Sequence, residues 1–172
     1  MGLHFFKTDP RYPGQPDMVW SQGEAEQNRY WIPLYDYPNE RASTELLATV
    51  PEGFTAVSNG RLVSQGPGKK PGTTVFHWLQ ERSHVGYLIT LSAARYVPVR
   101  DSAKVKDGSA VREVPMTAWV LAGDEEKARL TFAKTPAMVS YFSDLLESPY
   151  PWDKYDQIVV YEFFGGMENT SA

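Results

Sequence analysis

The chain contains no cysteine, so neither a disulfide nor a thiolate metal site can form among its 172 residues. Cytosol and periplasm both remain open on that count. It also has no apolar run long enough to cross a bilayer. The leading residues, MGLHFFKTDP, lack the basic and apolar regions of a signal peptide, and Phe6 stands where a myristoylation sequence needs Ser or Thr. Met1 is expected to be an internal methionine or a miscalled start. Basic charge is not in excess: 17 Lys and Arg against 21 Asp and Glu leave a net charge of −4. That balance argues against nucleic acid or an anionic membrane as partner. There is no P-loop, no dinucleotide fingerprint and no serine-nucleophile elbow; SNGR at Ser58–Arg61 reads as a turn. Nor do His4, His77 and His84 have partners at the helical spacing that lets two imidazoles share a zinc ion. No metal is expected to bind this chain alone.

What is present points to strands. Aromatic residues make up 13% of the chain, with five Trp and ten Tyr, and these types favour pleated surfaces and large contacts. Residues 1–17, rich in Pro and Gly, read as an irregular leading segment. From Met18 to about Val120 short apolar runs alternate with turn signals, the pattern of a β-sandwich or open sheet. Phe54–Gln65 reads as a hairpin with a type I′ turn at Asn59-Gly60. Gly66–Gly72 and Lys104–Gly108 read as polar loops, with strands over Thr73–Glu81, within Gly86–Val99 and over Val111–Leu121.

The grammar changes at Gly123. Asp124 is expected to cap a helix, with Glu125 and Glu126 in its first turn, favoured by the positive helix end. Ala128, Phe132, Val139, Phe142 and Leu146 recur at helical spacing. Pro136 implies either a kink or a second helix capped by Thr135. A short buried strand, Asp156–Tyr161, follows. The domain boundary is placed near Leu121, giving an amino-terminal β-domain over 1–121 and, over 122–172, a piece too small to bury a core of its own.

The last ten residues, Phe163–Ala172 (FFGGMENTSA), carry the clearest functional pattern. Gly165-Gly166 allows close backbone approach, and Glu168 offers a carboxylate beside it. This run resembles the G-x-M-E-N exopeptidase signature of the zinc aminopeptidases related to aminopeptidase N and leukotriene hydrolase. A second stretch agrees: Gln22, Glu24, Arg29, Pro33, Asp36 and Pro38 match that family's pattern Q-x-E-x(4)-R-x(3)-P-x(2)-D-x-P. Both occur in the family's order and at roughly its separation, so the resemblance runs from about Gly2 to Ala172. It implies a saddle-like β-domain followed by the start of a thermolysin-like α/β catalytic domain, and a zinc cofactor in the intact protein. The family's zinc motif is not in these residues. The ligands, general-base Glu and steadying Tyr are implied to lie beyond Ala172, so the 172-residue piece is expected to be inactive.

The resemblance also implies a division of labour. A peptide's free α-amine has a reference pKa of about 7.7–8.0 and is mostly ammonium near neutral pH. Glu24 and Glu168 would clamp that cation, selecting peptide substrates with a free amino terminus. Gly165 and Gly166 would align the substrate main chain in the manner of strand addition. Gln22 and Phe164 would border the first side-chain pocket, with Met167 and Asn169 completing the substrate-binding run. Plainer roles stand beside these: Glu24 as a surface acid, Gln22 and Phe164 as scaffold, Met167 as packing, Asn169 as a partner for backbone groups, Arg29 and Asp36 as a structural ion pair. Asn169-Thr170-Ser171 also has the form of a glycosylation acceptor. Three other whole-protein readings are a non-catalytic scaffold relative, a bifunctional aminopeptidase and epoxide hydrolase, and a carbohydrate-binding module. Oligomeric state is not legible.

Overall fold

A computed structural model describes residues 2–172; Met1, and the expectation attached to it, lie outside the described residues. The chain forms two compact units. The first comprises the residues up to Tyr96, Val160–Thr170 and Ala172; the second comprises Val97–Val159 and Ser171. The boundary expected at Leu121 falls inside the second unit. No helix among the described residues is long and apolar enough to cross a membrane.

The first unit holds seven strands: β1 (Leu3–Phe6), β2 (Met18–Ser21), β3 (Arg41–Pro51), β4 (Thr55–Ser58), β5 (Arg61–Pro67), β6 (Thr73–Val85) and β7 (Leu91–Ala94). They make two antiparallel sheets, ordered β1-β2-β7-β4 and β3-β6-β5. Period-2 patterning explains the second sheet: along β6, Phe76, Trp78 and Gln80 are buried on one face while their neighbours are less so. Ala48 and Val50 of β3 lie buried opposite Phe76 and Thr74. Burying one such aromatic side chain as fully as Phe76 contributes about 2–3 kcal/mol. The Trp78 indole N–H donates to the Ala56 carbonyl at 2.9 Å, fixing the second sheet against β4 of the first.

Three expectations for this unit are corrected. The leading residues are not irregular throughout, because Leu3–Phe6 pairs with β2. Ring stacking of His4 on Trp20, at 4.1 Å, supplies a tertiary contact that the local Pro and Gly content does not reveal. Nor is Phe54–Gln65 a hairpin. β4 pairs with β7 and β5 with β6, so the chain changes sheets at Asn59-Gly60. Only Gly60 has positive φ, at 74°, so the pair cannot be a type I′ turn. The Asn59 side chain is buried and bonded to distant backbone, which overrides its turn preference. Gly60 lies so close to the next strand that a Cβ would stand 2.0 Å from the Leu79 carbonyl oxygen. The Gly66–Gly72 loop is also shorter than expected, since β5 runs on through Pro67.

In the second unit, β8 (Tyr96–Asp107) and β9 (Ala110–Leu121) are neighbours joined by Gly108-Ser109. The expected polar loop at Lys104–Gly108 is therefore mostly strand: Ala103 and Val105 are buried while Lys104 and Lys106 are exposed. Alternation with lysine on the wet face produced the polar reading. Val114, Met116, Ala118 and Val120 of β9 face the core. Two helices follow, α1 (Glu125–Phe132) and α2 (Thr135–Leu145), and then β10 (Tyr155–Ile158) pairs parallel to β9. A parallel return needs such a crossover. Of the two expectations at Pro136, the second helix is the one formed, but Lys134 holds the cap position and Thr135 begins the helix. Asp124 stands at the α1 cap without a side-chain capping bond. Its carboxylate meets Lys127 instead, and Glu125 accepts the Gly123 N–H at 2.7 Å.

Candidate functional site

Both motif-bearing segments belong to the first unit, Ser171 excepted, and each can be followed from its anchor outward. After β2 the chain turns over Glu24–Gln27 into a 3-10 turn at Asn28–Tyr30. The Gln22 side chain folds back, its Oε1 accepting the Glu24 N–H at 3.2 Å. The Glu24–Ala25 peptide is cis. Gly23 permits a close approach: a Cβ there would stand 2.2 Å from the Tyr87 carbonyl oxygen. Asn28, fully buried, donates its carboxamide N–H groups to Gly86 O (2.8 Å) and Ile89 O (2.9 Å) and accepts from the Trp31 indole (2.8 Å). The turn carrying Glu24 thus rests on residues 86–89. Arg29 and Asp36 form part of its frame. Asp36 Oδ2 accepts the Arg29 N–H at 2.9 Å, and the guanidinium lies 4.0 Å from the same oxygen and 2.7 Å from Glu26.

The Phe163–Ala172 segment is irregular, with Gly165 at φ 114°. Its approach is pinned to β2: Tyr161 O accepts from the Trp20 indole at 3.0 Å, and Phe163 sets its ring edge-on to Trp20 at 5.4 Å. Its far end is pinned by Asn59, whose Nδ2 donates to Thr170 O at 2.7 Å. Between these points Phe164, Gly165, Gly166 and Glu168 are exposed, Phe164 completely, while Met167 and Asn169 are half-buried. The Asn169 carbonyl accepts the Ala172 N–H at 3.3 Å. The acceptor form at 169–171 leads into buried Thr170 and Ser171.

The two segments meet the same short stretch. Asn59 also donates to Leu88 O (2.9 Å), and its Oδ1 accepts the Thr90 N–H (2.8 Å). Residues 86–90 therefore receive Asn28 beside the Glu24 turn and Asn59 beside the Glu168 segment. Around them Ser21 and Ser58 bond Thr90 through its hydroxyl (3.2 Å) and carbonyl (2.7 Å). These paired groups favour one arrangement, although Thr170 Oγ1 and Asp36 Oδ1 are buried without a partner among the described residues. At the surface, neither the Glu24 nor the Glu168 carboxylate has a hydrogen-bond or ion-pair partner among the described residues, and both are exposed. An exposed, unpaired carboxylate can accept hydrogen bonds from a cation. Asn28 and Asn59 were not singled out from the sequence as site residues. An isolated Asn has no local signature of its tertiary bonds, and Ser58-Asn59-Gly60 presented itself as a turn.

The residues present do not fit a zinc ion. Among the described residues no three His, Asp or Glu side chains gather as a metal-holding group. His4 stacks on Trp20, His77 pairs with Glu45 at 2.6 Å, and His84 bonds Thr44 at 2.9 Å. A separate groove of about 390 Å³ lies within the second unit, bordered by Val99, Met116, Ala128, Phe132, Pro136 and Tyr155. It contains none of the expected site residues.

Comparison with known proteins agrees with the motifs. Residues 4–88 match the Peptidase M1 N-terminal domain. Mouse (Mus musculus) aminopeptidase B is 30% identical over 155 residues, covering 88% of this chain and 21% of that protein. Aminopeptidase N of Streptomyces lividans is 28% identical over 99% of this chain and 19% of its own length. Leucyl aminopeptidase of Saccharolobus solfataricus is 26% identical over 90% of this chain and 19% of its own length. The chain thus spans about a fifth of the length of these relatives. No H-E-x-x-H occurs in it. Both motifs, and matches along nearly its whole length, support an M1-family aminopeptidase fragment.

Proposed function

We propose that the protein carrying this chain is a zinc-dependent aminopeptidase and that these residues recognise the substrate's α-ammonium group. One observation supports the reading above others. Glu24 and Glu168, distant in sequence, are both exposed and unpaired on segments anchored to residues 86–90. An ammonium offers three donors, and two carboxylates can accept from it together. An internal peptide bond brings no such charge, so the clamp selects chain ends. Gly165 and Gly166 then present unobstructed backbone to the peptide, and Gln22 holds the Glu24 turn while bordering the pocket with Phe164, Met167 and Asn169.

In this reading residues up to 121 belong to the amino-terminal β-domain, and 122–172 open the catalytic domain. The metal's chemistry would be supplied from outside these residues, so the isolated chain hydrolyses nothing. Peptides with free amino termini are the partners; neither nucleic acid nor membrane is required. Glu168→Gln in the intact protein tests the reading. It removes a charged hydrogen bond of about 1.5–3 kcal/mol, a roughly 10- to 150-fold loss of kcat/KM on aminoacyl anilides. Stability should change by less than about 0.5 kcal/mol, because the side chain is exposed. Undiminished kcat/KM would remove the basis for the assignment.

A further inference from the structure

The Ser58-Asn59-Gly60 sequence has no part in the amine clamp itself, yet it lies buried beside it. Asn59 is 2% exposed and every polar atom of its side chain is engaged. Its carboxamide joins Leu88 O and Thr90 N to Thr170 O, eighty residues further along the chain. Gly60 permits this placement, because the backbone there runs against Leu79 with no room for a Cβ. On the other side of the same stretch, Asn28 ties Gly86 O and Ile89 O to the turn that follows Glu24. Residues 86–90 are thus clasped by one asparagine from each motif-bearing side.

We infer that Asn59 is a positioning residue: through Leu88 and Thr170 it fixes the Glu168 segment in register with the Glu24 turn, setting the separation of the two carboxylates. The inference rests on the amine-recognition reading for its functional meaning, though its geometric content stands by itself. Thr170 is two residues from Glu168 and its carbonyl is held by a single side chain from β4's end. The glycine-bearing run before Glu168 is otherwise exposed. Loss of the Asn59–Thr170 bond removes that run's tie to residues 88–90, while Ser171 O keeps its own bonds to Lys154 Nζ and Asp156 N and the sheets stay paired through their own ladders.

The absence of cysteine makes the distance measurable. Nitroxide labels on Glu24→Cys and Glu168→Cys report their separation by pulsed electron resonance in the 172-residue chain. Labels on Phe5→Cys and Leu47→Cys, exposed positions of β1 and β3, report the scaffold. Asn59→Ser, too short to span Leu88 O and Thr170 O, should broaden the 24–168 distribution and leave the 5–47 distribution unchanged. Both unchanged, or both broadened alike, overturns the inference. If the substituted chain does not fold, nuclear magnetic resonance of the unsubstituted chain decides. Slowly exchanging Asn59 carboxamide protons with cross-peaks to residues 88 and 170 support it, and rapid exchange without them overturns it. In the intact protein, Asn59→Ser should raise KM for free-amine substrates about tenfold, with a smaller change in kcat. A merely structural role would lower the active fraction and leave KM unchanged. A broadened 24–168 distribution together with full activity of Glu168→Gln would keep the tether and discard amine recognition.

Discussion

Replacing Gly60 by alanine should cost much more than the same change at Gly72, although the two backbones are nearly alike. Their φ values are 74° and 71°. Left-handed backbone costs an alanine about 1–2 kcal/mol, and the stiffer unfolded chain returns about 0.4–1 kcal/mol. Gly72 has nothing within 4 Å of an added Cβ, so Gly72→Ala should lose only about 0.5–1 kcal/mol. At Gly60 the added Cβ would stand 2.0 Å from Leu79 O, 2.5 Å from Leu79 C and 2.6 Å from the Gln80 Cα. These are backbone atoms of a central strand, and no rotamer change relieves them. Overpacking adds about 1–3 kcal/mol, for a net loss near 2–4 kcal/mol. Since whole domains are stable by only about 5–15 kcal/mol, urea titration followed by tryptophan fluorescence will resolve the difference. Equal midpoints for the two variants would refute the close approach at the sheet crossover.

His84 gives a pH-dependent prediction. It is buried with Nε2 bonded to Thr44, Nδ1 has no partner among the described residues, and desolvation lowers its pKa from 6.5 to about 4. The unfolded state takes the proton first, so this contribution is complete above pH 6.5 and is lost as pH falls towards 4; about 2 kcal/mol should disappear over that window. His84→Gln should flatten that part of a stability–pH profile, and an unchanged profile would count against the burial argument. Lys154, also buried, pairs with Asp156 at 2.9 Å and donates to Ser171 O at 2.8 Å. Lys154→Met strands a buried carboxylate and should destabilise the second unit by about 3–5 kcal/mol in urea titration, whereas a change below 1 kcal/mol would mean the pair is solvated. Phe164→Ala should leave stability within about 0.5 kcal/mol, the side chain being wholly exposed, and a larger loss in the same titration would place that ring against the protein.

How much was legible depended on whether a residue's partners were near it in sequence. The long strands β6 and β9 announced themselves through alternation, and the change of grammar at Gly123 announced α1. β1 was hidden because its stability comes from pairing with β2 and from Trp20, neither of which shapes residues 3–6 locally. Lys104 and Lys106 disguised β8 by occupying its wet face. Asn59-Gly60 misled most instructively: a dipeptide with strong turn preference was recruited for a buried bond and a close approach, both defined by residues far along the chain. In the site, Glu24 and Glu168 could be paired only through family resemblance, since no spacing rule relates positions so far apart. The asparagines that clasp residues 86–90 gave no signal of their own.

The central claim is that Glu24 and Glu168 act on one ammonium group. Kinetics of Glu24→Gln, Glu168→Gln and the double variant, on a free-amine substrate and its analogue lacking that amine, test it most directly. Each single change should cost the free-amine substrate roughly 10- to 150-fold in kcat/KM and leave the analogue unaffected. Equal losses on both substrates would contradict it.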